Sequence, residues 1–244
     1  CRAGHRNLCQ QVEFCGHYPT PGGLSTLLAW PQHLLISVPD TIDGDNVALL
    51  EPLGIALHAL DLGHFTVGMT AGVYGCGPIG LLLIRALRAA GAGAIQASDP
   101  LPHRLEAARS SGADDVRPTD ADGHPTGVDD WGPVDVAFEA AGEDAAIETA
   151  LRTVRTGGRV VIVGIPPNDR SSFGAALARE KGLTLVISRR MKPQHMHQAI
   201  DLVDRGEVEL SDLITSRFPI SRGPEAFTKL VARSGLKIVI KPSA

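Results

Sequence analysis

Gly75-Cys76-Gly77-Pro78-Ile79-Gly80 constrains this chain more than any other stretch, because it falls where a strand pattern over 70–74 gives way to an apolar helical pattern over 79–90. At such a junction the first glycine permits a sharp turn. The second lets backbone N–H groups approach a pyrophosphate, and the third lets the helix pack on the sheet, its dipole favouring the phosphate charge. The glycine pattern alone is weakly specific, but Asp99 follows Gly80 by nineteen residues, at the end of the next strand pattern. A carboxylate there can accept hydrogen bonds from both ribose hydroxyls, whereas a 2′-phosphate would be repelled by about 4 kcal/mol per charge pair at ~4 Å and an effective dielectric near 20. The expectation is a dinucleotide site that prefers NAD to NADP. A structural glycine turn and a methyltransferase loop are the competing readings, and Asp99 also suits a helix N-cap. Arg104, five residues on, either flanks the adenosine or is a solvated arginine.

Helical and strand patterns alternate from about residue 47, as in a parallel sheet wrapped by helices. Strands are predicted at 70–74, 94–99, 115–116, 134–139, 159–163 and 183–188, and helices at 79–90, 102–110, 144–154 and 173–181. Six strands in two halves give a doubly wound α/β fold of expected order 3-2-1-4-5-6, with the ligand crevice at the ends of strands one and four. Helices near 194–205 and 222–233 and a strand at 237–240 do not extend that sheet. They are therefore grouped with 1–53 in a second domain, leaving 54–188 as the dinucleotide-binding domain and 189–244 as the return to the other. In the second half, Gly157-Gly158 and Val163-Gly164-Ile165 bracket the fifth strand; exposed backbone there suits a nicotinamide carboxamide, or is simply a βα turn.

The charge of −4 at pH 7 provides no electrostatic footprint for nucleic acid or an anionic membrane, and no apolar run of eighteen residues spans a bilayer. Small molecules and other protein chains are the expected partners. Four cysteines, Cys1, Cys9, Cys15 and Cys76, lack the density of a disulfide scaffold, so reduced thiols and a cytoplasmic setting are expected. The chain begins abruptly at Cys1, without a secretory signal, as if something preceded it.

The residues also resemble a family. Glu51-Pro52-Leu53 with His58-Ala59, the 75–80 loop, Asp99 with Arg104, Phe138-Glu139, Gly157-Gly158-Arg159, Val163-Gly164, Phe218-Pro219 and Gly235-Leu236-Lys237 are similar to zinc-dependent medium-chain dehydrogenases, and most to the sorbitol (polyol) dehydrogenases, along the whole chain. The resemblance implies a Rossmann domain inserted in a GroES-like catalytic domain, here N-terminally truncated, and a homo-oligomer in the full-length form. It implies hydride transfer from a secondary alcohol of polyol type to NAD, aided by Zn2+. Glu51 would be the acid at the catalytic zinc, where zinc lowers the pKa of a bound water or hydroxyl; the alternative is a helix-start glutamate held by the helix dipole. A cysteine is usual there in the alcohol dehydrogenases, so the glutamate points to polyol, threonine or sugar substrates. Cys1 and Cys9 would be the last two ligands of a structural thiolate zinc whose other two lie upstream; without those they are free thiols. Ser188, Arg189 and Arg190 fall between nicotinamide and substrate in the relatives. Arg189 matches a family arginine, and Arg190 replaces a tyrosine, which leaves the polyol open. A threonine 3-dehydrogenase is the second enzymatic reading, and a noncatalytic NAD-binding protein the reading from another class, with this chain binding NADH without turnover.

Other features are set aside. Asp120-Ala121-Asp122-Gly123 begins like a calcium loop, but Pro125 and Trp131 stand where glycine and a bidentate glutamate are needed, leaving a solvated loop. His195 and His197, two apart on a helix, face different ways and make no metal pair. His58 is read as a packed helix residue rather than a proton relay, and Cys76 as a small side chain in the loop.

Overall fold

The computed structural model describes residues 4–242. Residues 4–43 hold only single helical turns at Arg6–Leu8 and Gln32–Leu34. The chain then runs through α1 (Gly44–Gly63), β1 (Thr70–Tyr74), α2 (Pro78–Ala89), β2 (Ala94–Asp99), α3 (Pro102–Ser110) and β3 (Asp115–Pro118). It continues through β4 (Val134–Glu139), α4 (Asp144–Thr153), β5 (Val154–Ile162), α5 (Ala175–Glu180), β6 (Thr184–Ile187) and α6 (Pro193–Asp204), and ends with β7 (Ile214–Pro219), α7 (Gly223–Val231) and β8 (Lys237–Lys241). The first six strands form one parallel sheet of order β3-β2-β1-β4-β5-β6, the doubly wound α/β arrangement, and β7 and β8 form a separate parallel pair.

Strand residues alternate between two cores because successive side chains leave opposite faces of the sheet. Val73, Val136, Phe138 and Val161 pack with Leu49, Leu53, Leu81 and Leu87 of α1 and α2. Tyr74, Ala137 and Val160 face the other way, onto Ile147, Ala150 and Leu151 of α4. Each such fully buried aliphatic side chain contributes about 1.5–3 kcal/mol. Apolar on most of its surface, α1 lies between α2 and α6, where Gly54 lets Met191 approach: an added Cβ would stand 2.2 Å from the Met191 sulfur. Its first turn is tied to the small sheet by Asp45, which bonds Arg217 and, at 2.9 Å, Lys241. Those two cations hold its carboxyl below the usual range.

Three features differ from the sequence reading. Strand β5 starts at Val154, not 159, because Val154 pairs with Val134 before a register shift, while Arg155, Thr156 and Gly157 stay exposed and hide the strand signal. Strand β7 was not expected; its Ile-Thr-Ser-Arg-Phe-Pro run lies in a two-stranded sheet with mixed exposure. A boundary after residue 53 falls inside the continuous helix α1. Among the described residues no helix is long and apolar enough to cross a membrane.

Candidate dinucleotide site

The chain turns sharply as β1 ends. Gly75 adopts φ +103°, and an added Cβ would lie 2.6 Å from the Ala141 backbone nitrogen after β4. Gly80 is tighter still, with its Cβ position 1.9 Å from the Gly75 carbonyl oxygen, so helix and loop touch backbone to backbone. Pro78 occupies the first turn of α2, where the absent N–H leaves no bond unmade. Ile79 packs onto the main core. At Gly77 the nearest atom to an added Cβ is the Arg104 Nη1 at 3.7 Å, so this face of the loop is open.

Asp99 ends β2 against the loop and is 2% exposed. Its Oδ2 accepts the Cys76 N–H at 2.8 Å and its Oδ1 the Leu101 N–H at 2.9 Å. The N-cap position of α3 is Leu101, without a side-chain cap, so Asp99 is not the cap of that helix. Arg104 Nη1 stands 3.7 Å from Asp99 Oδ2, and its buried Nε has no partner. A carboxylate oxygen has two lone pairs, so both Asp99 oxygens retain capacity beyond the loop. Beside them opens a cavity of about 330 Å³ whose walls include Gly75, Asp99, Asp120, Asp122, Glu143 and Arg233. The 120–123 segment is thus a wall of this cavity as well as a solvent-facing loop. Asp120 Oδ1 holds the Asp122 and His124 N–H groups at 3.0 and 2.9 Å. Arg233, in the turn after α7 at φ +51°, was not anticipated and carries no local sequence signal.

The second half of the site is built from close backbone contacts. Glu139, the last residue of β4 and fully buried, receives the Ala141 and Gly142 N–H groups on Oε1 at 2.7 and 2.6 Å. Its backbone carbonyl takes the Val163 and Gly164 N–H groups at 2.8 and 3.1 Å. Ile165 is 89% exposed beyond them. Ser188 donates its N–H to the Ile162 carbonyl, and its buried hydroxyl has no partner. The exposed Arg189 offers its carbonyl to Asn7 Nδ2 at 3.0 Å. Arg190, expected among the cofactor residues, makes its contacts here with the N-terminal segment. At φ +57° it donates from Nη1 to the Asn7 carbonyl at 3.0 Å and stacks 4.0 Å from the Phe14 ring centre, turned to the N-terminal segment.

Glu51 is the eighth residue of α1, two turns in, so the helix dipole does not hold it as a helix-start residue. Burial raises its pKa and the Lys237 ammonium lowers it. Among the described residues no group of three or more His, Cys, Asp and Glu side chains is placed to hold a metal ion. One carboxylate facing an ammonium does not by itself fit zinc, which takes four ligands. Cys1 lies outside the described residues; Cys9 is a free, half-buried thiol and Cys76 a free, buried one.

His58 lies within α1 at 3% exposure, 3.4 Å from Asn7 Nδ2, its ring centre 4.9 Å from that of His195 with the planes tilted by 41°. His195 accepts the Lys192 N–H on Nδ1, so its Nε2–H is the donor to Asp61 at 2.7 Å; His197 is exposed on the other side of α6. Burial, then the charges of His195 when protonated and of Lys192, push the His58 pKa down to about 4, Asp61 opposing them. A histidine held neutral in the fold stabilises it fully above the unfolded pKa near 6.5 and ceases to do so as pH falls through about 4. Roughly 3 kcal/mol of stability is therefore expected to disappear between those values. Urea melts at pH 7 and pH 4.5 of the wild type and His58→Gln check this, since the variant should lack that part of the slope.

A family model described as zinc-binding dehydrogenase matches residues 78–205. The chain is 30% identical to a sorbitol dehydrogenase of Bacillus subtilis over 249 aligned positions, covering 100% of this chain and 70% of that enzyme. It is 31% identical to an L-idonate 5-dehydrogenase of Vitis vinifera, covering 98% and 67%. The crystal structure of a 2R,3R-butanediol dehydrogenase from Bacillus subtilis superposes with a TM-score of 0.87 at 30% identity, covering 99% of this chain and 71% of that one. With more than half its length inside the family model and all of it aligned to a relative at 30% identity, this chain belongs to the zinc-binding dehydrogenases.

Proposed function

We propose that the chain binds NAD at the 75–80 loop and serves hydride transfer from a secondary alcohol of the polyol class. The observation that carries the reading is Asp99, buried against the loop with a lone pair left on each oxygen, at the mouth of an open cavity. The open face at Gly77 and the partnerless Arg104 Nε and Ser188 Oγ fit a dinucleotide. When bound, NAD supplies the hydride acceptor. Gly75, Gly77 and Gly80 with Pro78 and Ile79 cradle the pyrophosphate, Asp99 takes the ribose hydroxyls, and Arg104 flanks the adenosine. Val163, Gly164, Ile165 and Ser188 are assigned the nicotinamide end, and Arg189 the substrate hydroxyl. In this reading 54–188 is the cofactor domain, and 1–53 with 189–244 the substrate side, including Glu51. The names of the relatives, sorbitol and L-idonate dehydrogenases, support the polyol class. A cytoplasmic homo-oligomer with no nucleic-acid or membrane partner belongs to the same reading.

One observation favours a second reading for these residues taken alone. With no group of metal ligands placed among the described residues, the chain is proposed to bind NADH but not to turn over sorbitol, xylitol or threonine. Fluorescence titration tests the first reading: NADH is expected to bind at least 100-fold more tightly than NADPH, given a like-charge penalty of about 4 kcal/mol at Asp99. Equal affinities, or no binding of NADH, would reject it. Steady NADH production by the 244-residue chain would reject the second.

A further inference from the structure

Strand β4 ends on an acid that the cofactor reading leaves without a task. Glu139 is fully buried at the point where the sheet order reverses, between Tyr74 of β1 and Ile162 of β5. A carboxyl group in such a place is costly unless it is bonded, and this one is bonded on one oxygen only. Oε1 collects the Ala141 and Gly142 N–H groups, while Oε2 has no hydrogen-bond partner. Burial pushes its pKa up, and the loop N–H groups work against that shift.

The surroundings show what the carboxyl is set against. An added Cβ on Gly164 would lie 2.2 Å from the Gly142 nitrogen and 2.6 Å from Glu139 Oε2. One on Gly142, at φ +77°, would lie 2.5 Å from the Ile165 carbonyl oxygen. The turn after β4 and the strand end after β5 therefore meet with no side chain between them except that of Glu139. Its main chain joins the same contact by accepting the Val163 and Gly164 N–H groups. Side chain and carbonyl together bind four N–H groups on two loops.

We propose that Glu139 is a positioning residue for the nicotinamide half of the cofactor site: its side chain fixes the 140–142 turn against Gly164 and so sets where the exposed backbone groups of 163–165 stand. This rests on the assignment of Val163-Gly164-Ile165 to the nicotinamide end. The adenosine half takes its own contacts from Asp99 and the glycine loop and meets the 140–142 turn through Gly75, so the larger loss is expected at the nicotinamide end.

The test is titration of the full chain with NADH and with ADP-ribose, which has the adenosine, pyrophosphate and second ribose but no nicotinamide. Wild type is expected to bind NADH more tightly than ADP-ribose. Glu139→Ala, which leaves the Ala141 and Gly142 N–H groups unpaired, is expected to lose roughly tenfold in NADH affinity and to bind the two ligands alike. Its ADP-ribose affinity should remain within about twofold of wild type. Glu139→Gln keeps an acceptor for both N–H groups and the shape of the neutral acid, and should restore the preference for NADH. A parallel loss of both ligands in Glu139→Ala, or an unchanged ratio between them, overturns the proposal. If the alanine variant does not fold, Glu139→Asp, with its carboxyl withdrawn by one methylene, is read by the same ratio. Failure of wild type to bind either ligand instead removes the dinucleotide reading, and this proposal with it.

Discussion

Asp99→Ala is expected to abolish measurable NADH binding and to lower stability by about 2–4 kcal/mol, a double loss that follows from the two tasks of one carboxylate. Inward, it pairs the Cys76 and Leu101 N–H groups, which alanine would leave as buried donors without acceptors. Each such donor costs roughly 1–3 kcal/mol. Arg104 would also lose its only ion-pair partner among the described residues. Outward, the ribose hydroxyls lose the acceptor proposed for them. Asp99→Asn separates the two tasks: its amide oxygen retains one inward bond and its NH2 donates where an acceptor is needed, so binding should fall more than stability. Urea melts and NADH titration of both variants measure this. Wild-type affinity in Asp99→Ala would mean that the dinucleotide, if bound, sits elsewhere.

The second large effect is expected at Gly80. Its added Cβ would stand 1.9 Å from the Gly75 oxygen and 2.9 Å from the Gly75 carbonyl carbon, and backbone atoms cannot rotate aside. Gly80→Ala must push α2 from the loop, at a cost of about 2–4 kcal/mol, and the displaced N–H groups should no longer bind NADH. Gly77→Ala provides the contrast. Its new methyl meets nothing nearer than Arg104 Nη1 at 3.7 Å, so thermal melts should stay close to wild type while NADH affinity falls, because the methyl occupies the face assigned to the pyrophosphate. A Gly77→Ala variant as unstable as Gly80→Ala would mean that this face of the loop is closed.

These contrasts show which parts of the molecule are written in local sequence. The bounds of β1, β2 and β4 were legible because their residues are mostly apolar and buried, and Gly75, Asp99 and Glu139 mark the ends. The start of β5 was not, since Arg155, Thr156 and Gly157 are exposed, fall in the register shift between the Val154 and Arg159 pairs, and look like a loop. Asp99 could be found by counting from the glycines, as its partner lies one βα unit away. Glu139 could be quoted from a resemblance but not given a task, because its partners are backbone N–H groups, which any sequence supplies. The contacts of Arg190 were hidden for a related reason. Its direction is decided by Phe14 and the Asn7 carbonyl, more than 170 residues earlier, and by a left-handed backbone that no local pattern announces.

The strand order also governs how this protein must be made. Residue 71 lies beside residue 136 in the finished sheet, so at about 5–20 residues per second a ribosome needs roughly 3–13 s to deliver the second after the first. Throughout that interval the future centre of the sheet is a bare edge, water-averse on both sides and open to any other nascent chain. Slowing synthesis would lengthen the exposure, whereas cooling weakens apolar association. Yield should therefore rise with chaperone supply, which covers that edge while it waits.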